Sequence, residues 1–184
     1  EWMPQTSKQE NTIQFNYFMG DQLINIKYRD GRKNFKLYKG AEKVFYNINS
    51  IVGYDWCVIV EGEMDVLALH EAGIKNAISV PNGATLNSNN LDYLDNCIDY
   101  FEDKTKIILA VDADEPGQAL KQEFVRRLGA EVCYLVDFNG EKDANEYLVE
   151  HGHAELRNAI HAATQVPLEG VTTLYDIQDE VKEF

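Results

Sequence analysis

Cysteine is scarce in this chain: three in 184 residues, at Cys57, Cys97 and Cys133, with no Cys-x-x-Cys pair among them. That spacing excludes a zinc ribbon and a disulfide framework. Cys57 and Cys133 sit in strand-like runs and read as small buried apolar residues, in keeping with a reducing cytoplasm. Long apolar runs are missing too. The longest are strand-sized, well short of the roughly 20 residues of a membrane span, and no signal peptide is visible. No G-x-x-x-x-G-K-[ST] occurs, which excludes a P-loop nucleotidase within these residues. Positive charge is in short supply, with 17 Lys/Arg against 31 Asp/Glu and a net charge of −14. The deficit is uneven. Residues 1–60 carry eight Lys/Arg and six Asp/Glu, a net +2, while residues 61–184 carry nine and twenty-five, a net −16. A basic front and an acidic bulk suit a protein that holds polyanion in one part and metal in another.

What is present is a core, since hydrophobic residues make up 45% of the chain. Residues 1–11 are polar and read as a flexible segment. Residues 12–52 read as a small basic β-rich subdomain, with strands at Ile13–Phe18, Leu23–Arg29 and Arg32–Leu37. Asp30-Gly31 is a strong two-residue hairpin signal. In that register Arg29 faces Arg32 and Lys27 faces Asn34. Lys27, Arg29, Arg32 and Lys36 then share one face, with Ile24, Ile26, Tyr28, Phe35 and Leu37 on the core side and Lys33 at its edge.

Residues 53–163 read as alternating strands and helices. Strands are expected at Trp56–Val60, Ala77–Val80, Lys106–Val111 and Glu131–Val136. Helices are expected at Glu63–Ala72, Asn90–Phe101, Pro116–Leu128, Ala144–Glu150 and Ala154–Ala163, with Gly73 and Gly129 as stops. Residues 164–184 read as an acidic linker toward an absent domain, and Glu1-Trp2 is an odd start, so the chain reads as a piece of a longer protein.

Carboxylates recur where these strands end. Glu61 follows the first strand and Asp112 the third, with Asp114 two residues on, and Asp143 opens a later helix. In an open α/β sheet the carboxyl ends of the strands converge on one crevice. Carboxylates that meet there need hard cations to neutralise them, which points to Mg²⁺ or Mn²⁺ and phosphoryl chemistry. Asp114 can also simply cap the helix beginning near Pro116, and Asp143-Ala144-Asn145-Glu146 matches a capping box. Glu61 could move a proton or hold a second cation, and Gly62 beside it lets backbone approach a ligand. Asp65, at i+4 from Glu61, either orients it or is a solvated helix residue. His151-Gly152-His153 lies at a helix boundary and reads as a solvated loop.

The ordered set Glu61-Gly62-x-x-Asp65, Pro81-Asn82-Gly83-Ala84, Asp112-x-Asp114-x-x-Gly117 and Lys142-Asp143-Ala144-Asn145-Glu146 resembles the Toprim domain shared by bacterial-type primases, topoisomerases and some nucleases. The Lys-Asp-Ala-Asn-Glu version resembles the phage primase–helicase and Twinkle-like branch, related to the DnaG-type primases. The resemblance covers roughly residues 12–163. It implies a Toprim fold, a central mainly parallel sheet flanked by helices, preceded by a small basic antiparallel subdomain. It implies a DNA primase core that makes short RNA primers on single-stranded DNA from ribonucleoside triphosphates, working in the cytoplasm of a bacterium or phage-infected host beside a replicative helicase. Glu61 would be the catalytic acid/base, with Asp112 and Asp114 in the chemistry, and Asp112, Asp114 and Asp143 would bind divalent metal, with help from Glu61. Lys27, Arg29, Lys33 and Lys36 match the stretch that holds nucleotide or template, and Arg32 joins them by the strand-face argument alone. Gly62, Asp65, Asn82 and Gly83 would support the site. The family's zinc-binding reader and helicase motifs are absent from these residues. Two rivals stand: a Toprim nuclease, which needs the same acids but no basic β-subdomain, and a non-catalytic module that holds a helicase.

Overall fold

A computed structural model describes residues 1–82, 91–112 and 114–167. A two-stranded ribbon, β1 (Trp2–Met3) and β2 (Lys8–Gln9), leads into a three-stranded antiparallel sheet of β3 (Thr12–Met19), β4 (Gln22–Asp30) and β5 (Phe35–Leu37). After a 3-10 turn at Ile48–Ile51 the chain alternates: β6 (Trp56–Val60), α1 (Glu63–Glu71), β7 (Ala77–Ser79), α2 (Asp92–Asp95), a 3-10 turn at Ile98–Tyr100, β8 (Lys106–Leu109), α3 (Glu115–Leu128), β9 (Cys133–Leu135), α4 (Ala144–His161) and β10 (Thr164–Gln165).

The second sheet has the order β7-β6-β8-β9-β10. It is parallel except for β10, which runs antiparallel to β9. The chain goes from β6 outward to β7, then returns to place β8 on the other side of β6. The strand order therefore reverses between β6 and β8, and the crevice outside their carboxyl ends is where such folds bind ligands.

Both faces of this sheet are covered, so its strands are continuous apolar runs rather than alternating ones. Cys57, Ile59, Ile107 and Leu109 face one way, onto Phe45, Tyr93 and Phe124 and onto Phe15 and Tyr17 of β3. Val58, Val60, Ile108 and Ala110 face the other, onto Val66 and Leu69 of α1 and Leu156 and Ile160 of α4. All three cysteines are buried and free. No helix of the described residues is long and apolar enough to cross a membrane.

Two sequence expectations change. The helix foreseen over Asn90–Phe101 is broken into α2 and the second 3-10 turn, because Asn96 turns its side-chain amide onto the Lys43 carbonyl (2.9 Å) and Cys97 leaves helical geometry; Asn90 itself lies outside the described residues. The two helices foreseen near the end are both present within α4, separated at Gly152, whose φ of 84° and ψ of 174° break the helical path where the sequence placed the break. Thr164–Gln165, the start of the expected linker, forms β10, and residues 168–184 lie outside the described residues.

The largest correction is the β4–β5 register. Arg29 faces Phe35, Tyr28 faces Lys36 and Lys27 faces Leu37. The connection is longer than two residues because Asp30 organises it: its carboxylate accepts from the backbone N–H of Arg32 (2.8 Å) and Asn34 (2.9 Å) and from the Asn34 amide (2.8 Å). Lys33 takes a left-handed conformation there, φ 63°. The shift moves Phe35 and Leu37 to the face of Lys27 and Arg29, and sends Lys36 to the opposite face with Tyr28. On β3 and the middle of β4 that Lys27-bearing face packs inward, while Phe35 stays exposed at the cleft. Ile24, Ile26 and Tyr28, expected to form the core side, are only half-buried. Phe15 and Tyr17 of β3, buried at 3% and 0% exposure, decide which face goes in.

Candidate functional site

The carboxyl ends of β6 and β8 open into a cleft of about 670 Å³, lined on one side by Glu61, Gly62, Asp65, Asp112, Lys142 and Asp143 and on the other by Lys27, Phe35 and Leu37. Glu61 and Asp112 meet across the switch point, where the Asp112 backbone N–H donates to Glu61 Oε1 at 3.1 Å. Gly117 makes that meeting possible. A Cβ there would lie 2.2 Å from the Asp112 carbonyl oxygen and 2.7 Å from Glu61 Oε1. The spacing Asp112-x-Asp114-x-x-Gly117 is thus a packing requirement as well as a chemical one: α3 must start without a side chain at that point.

Asp65 stands in the first turn of α1. It is buried, and its Oδ1 accepts from the Asn145 backbone N–H of α4 at 3.1 Å. Asp143 precedes α4 as its N-cap, accepting from the Glu146 N–H at 2.8 Å. The expected capping box is present in altered form, because Glu146 reaches back to the Lys142 N–H (3.2 Å). These two contacts bring the acids of two helix starts together with the strand end. Asp65, Asp112 and Asp143 each offer an oxygen, and the three oxygens lie within 4.8 Å of one another. Crowding shows in their acidity. Burial, then the charges of Asp143 and Asp112, push the Asp65 carboxyl up to about 7. Burial also raises Asp112, against the opposing pull of the Lys142 ammonium. An all-oxygen donor set held at strand and helix ends fits a hard divalent cation, not a thiophilic one.

A family model described as Toprim-like matches residues 58–148. This half of the chain is a Toprim domain of the primase type. The chain is 39% identical over 176 residues to the "Primase homolog protein" of Arabidopsis thaliana, a match covering 86% of this chain and 52% of that protein. It is 34% identical over 192 residues to the "Twinkle homolog protein, chloroplastic/mitochondrial" of the same plant, covering 95% of this chain and 27% of that one. The chain therefore spans about half or less of these relatives. Among solved structures it resembles a primase-domain chain of a bacteriophage T7 assembly, in which two primase domains bound to an RNA/DNA hybrid and dTTP contact the lagging-strand DNA polymerase. The TM-score is 0.72 at 25% identity, covering 83% of this chain and 78% of that one. Toprim domains bind divalent metal, which agrees with the acid triad.

The Toprim residues foreseen from sequence fall into two groups. Glu61, Gly62, Asp65, Asn82, Asp112 and Asp143 line the cleft. Gly83 lies outside the described residues. Asp114 is exposed and caps α3, its Oδ1 accepting from the Gly117 N–H at 3.0 Å; it stands outside the triad of converging oxygens, although its charge reaches Asp112. The basic residues disperse. Lys27 lines the cleft, and its ammonium stands 4.9 Å from the centre of the Phe35 ring, with the Arg29 guanidinium at 5.9 Å. Arg32 and Lys33 are exposed in the β4–β5 loop. Lys36, on the far face, contacts Glu1 (2.5 Å) and the Trp2 carbonyl (3.1 Å).

Sequence reasoning passed over the partners. Lys27 is buried because Glu63 of α1 is buried with it, Nζ to Oε1 at 2.7 Å, and the Tyr17 hydroxyl donates to the same oxygen at 2.5 Å. This pair joins the small sheet to the Toprim helix. Lys142, the first residue of the Lys-Asp-Ala-Asn-Glu motif, makes an ion pair with Asp112 Oδ2 at 2.8 Å. Its position beside Asp143 was the available signal.

Proposed function

We propose that the chain is the catalytic core of a DNA primase, joining ribonucleotides into short RNA primers on single-stranded DNA. The observation that carries this reading is the convergence of Asp65, Asp112 and Asp143 at the switch point, faced across one cleft by Lys27 from the basic sheet. In this reading the primer 3′-hydroxyl attacks the α-phosphate of an incoming ribonucleoside triphosphate, and pyrophosphate leaves. Asp65, Asp112 and Asp143 would hold Mg²⁺ or Mn²⁺, with Asp114 and Glu61 beside Asp112 available for a second ion. Bound divalent cation supplies charge neutralisation for the attacking and leaving oxygens.

The chain's own side chains do the rest. Glu61, oriented by the Asp112 N–H, takes the proton of the attacking hydroxyl. Lys27, neutralised by buried Glu63, fixes the small sheet beside the cleft, and Arg29, Arg32 and Lys33 of that sheet and its loop extend positive charge along the path of the template. Lys36 joins them only at the outer face of the sheet. Such phosphate contacts position the strand and carry little sequence information. The three buried free thiols suit a reducing compartment, such as the cytoplasm of a bacterium or an infected host. A replicative helicase, as another domain or another protein, is the partner proposed for this core.

The test is incubation with single-stranded DNA, Mg²⁺ or Mn²⁺ and labelled ribonucleotides, with and without a preformed primer, beside Asp112→Asn. RNA products that vanish in the variant are expected. Metal-dependent loss of the DNA without RNA products would mean a Toprim nuclease instead. Intact DNA and no extension of the primer would mean a non-catalytic module.

A further inference from the structure

Two lysines reach the cleft, and they are held differently. Lys27 has a side chain 9% exposed and is locked to a carboxylate that is itself buried. Lys142 has a side chain 53% exposed, and its only ion-pair partner among the described residues is Asp112, a member of the acid triad. Its backbone is fixed, because its N–H donates to Glu146 and the next residue caps α4. Its head is half in water on a flexible four-carbon stem. A lysine anchored in this way can exchange partners without any movement of the fold.

Three carboxylate oxygens within 4.8 Å of one another attract positive charge. Here the Lys142 ammonium supplies it to Asp112 Oδ2. An ammonium on that oxygen and a divalent cation among the same three acids would repel strongly over a few ångströms, so the two compete for Asp112. We propose that Lys142 is a built-in counter-ion of the metal site. It holds Asp112 while the site lacks a divalent cation, gives up that oxygen when one binds, and then turns its ammonium onto the triphosphate of the bound nucleotide. The last step rests on the primase reading; the first two do not. A lysine suits the exchange because its charge is compact and its three donors are rotatable, where an arginine would tend to keep a forked grip on the carboxylate.

The test is calorimetric titration of Mn²⁺ alone into the wild-type chain, Lys142→Met and Lys106→Met. Lys106 lies at the amino end of β8, its ammonium 4.6 Å from the centre of the Tyr134 ring, so its variant makes the same net-charge change away from the triad. Lys142→Met is expected to bind Mn²⁺ about fivefold more tightly than wild type, the scale of losing one half-exposed competing ion pair, and Lys106→Met less than about twofold more tightly. Equal or weaker Mn²⁺ binding by Lys142→Met overturns the counter-ion role, as does equal tightening in Lys106→Met. A second titration, with ATP at saturating Mg²⁺, is expected to show Lys142→Met binding at least about fivefold more weakly than wild type. Unchanged ATP affinity in Lys142→Met overturns the transfer to triphosphate. Absence of ATP binding in the wild type overturns the primase reading itself, and the Mn²⁺ result stands apart from it.

Discussion

The two walls of the cleft are built on opposite principles. The wall from the parallel sheet collects like charges. Asp65, Asp112 and Asp143 come from three separate chain segments to within 4.8 Å, and burial keeps Asp65 partly protonated near neutral pH. The wall from the small antiparallel sheet is neutralised in place, with Lys27, Glu63 and Tyr17 forming a closed, buried set. One wall sets three converging carboxylates against the single half-exposed ammonium of Lys142 and is poised to take a cation. The other is satisfied and holds the two sheets together. Both walls are charged and both line or border one cleft, but only the second is neutralised by its own buried partners.

Several substitutions would break or sharpen that contrast. The largest effect is expected at Asp112→Asn, which removes the strand-end carboxylate of the triad. Primer synthesis should fall by more than about a hundredfold, since loss of a supporting outer-shell partner alone commonly costs about 10- to 100-fold, while urea unfolding changes little. Next is Lys27→Met, which strands the Glu63 charge in the interior. A loss of about 3–5 kcal/mol in unfolding free energy is expected, and Lys27→Met with Glu63→Gln together should recover most of it. Persistence of the full loss in the double variant would mean that packing, not the stranded charge, is responsible.

Asp65 gives the pH signature. Its folded pKa of about 7 lies above the ordinary carboxylate value, so the folded state holds its proton longer than the unfolded one. Its contribution to stability is present at low pH and is lost as pH rises through the window from about 4 to about 7, by up to about 4 kcal/mol. Without divalent cation, the wild type should lose more stability across that window than Asp65→Asn, and added Mg²⁺ should shrink the difference at pH 8. Equal slopes in the two proteins would refute the crowding argument. The smallest effect is expected at Arg32→Ala in the exposed loop, which should leave stability unchanged and lower the salt dependence of single-strand binding by about one ion.

Much of the parallel half was legible because its signals are local and agree with one another. Apolar runs bounded by Gly73 and Gly129 fixed the strands and helices, and the acids fell at strand ends where topology gathers them. The antiparallel half was misread at one point. Asp30-Gly31 resembles a two-residue hairpin, but the Asp30 carboxylate gathers Arg32 and Asn34 and lengthens the loop, which exchanges the faces of everything in β5. Alternation could not reveal which face is buried, since a lysine is there. Only the tertiary partner Glu63, 36 residues away, makes Lys27 an interior residue. Asp114 and Asp143 read alike as helix caps with possible metal roles. What distinguishes them is where α4 docks against α1 through Asp65 and Asn145, a contact spanning 80 residues that no local pattern encodes.

The most direct measurement is the anomalous difference map of crystals soaked in Mn²⁺. A peak bounded by the carboxylates of Asp65, Asp112 and Asp143 is expected, with the Lys142 side chain withdrawn from Asp112. A map with no peak at these acids, or one in which Mn²⁺ binds elsewhere while Lys142 still holds Asp112, would contradict it.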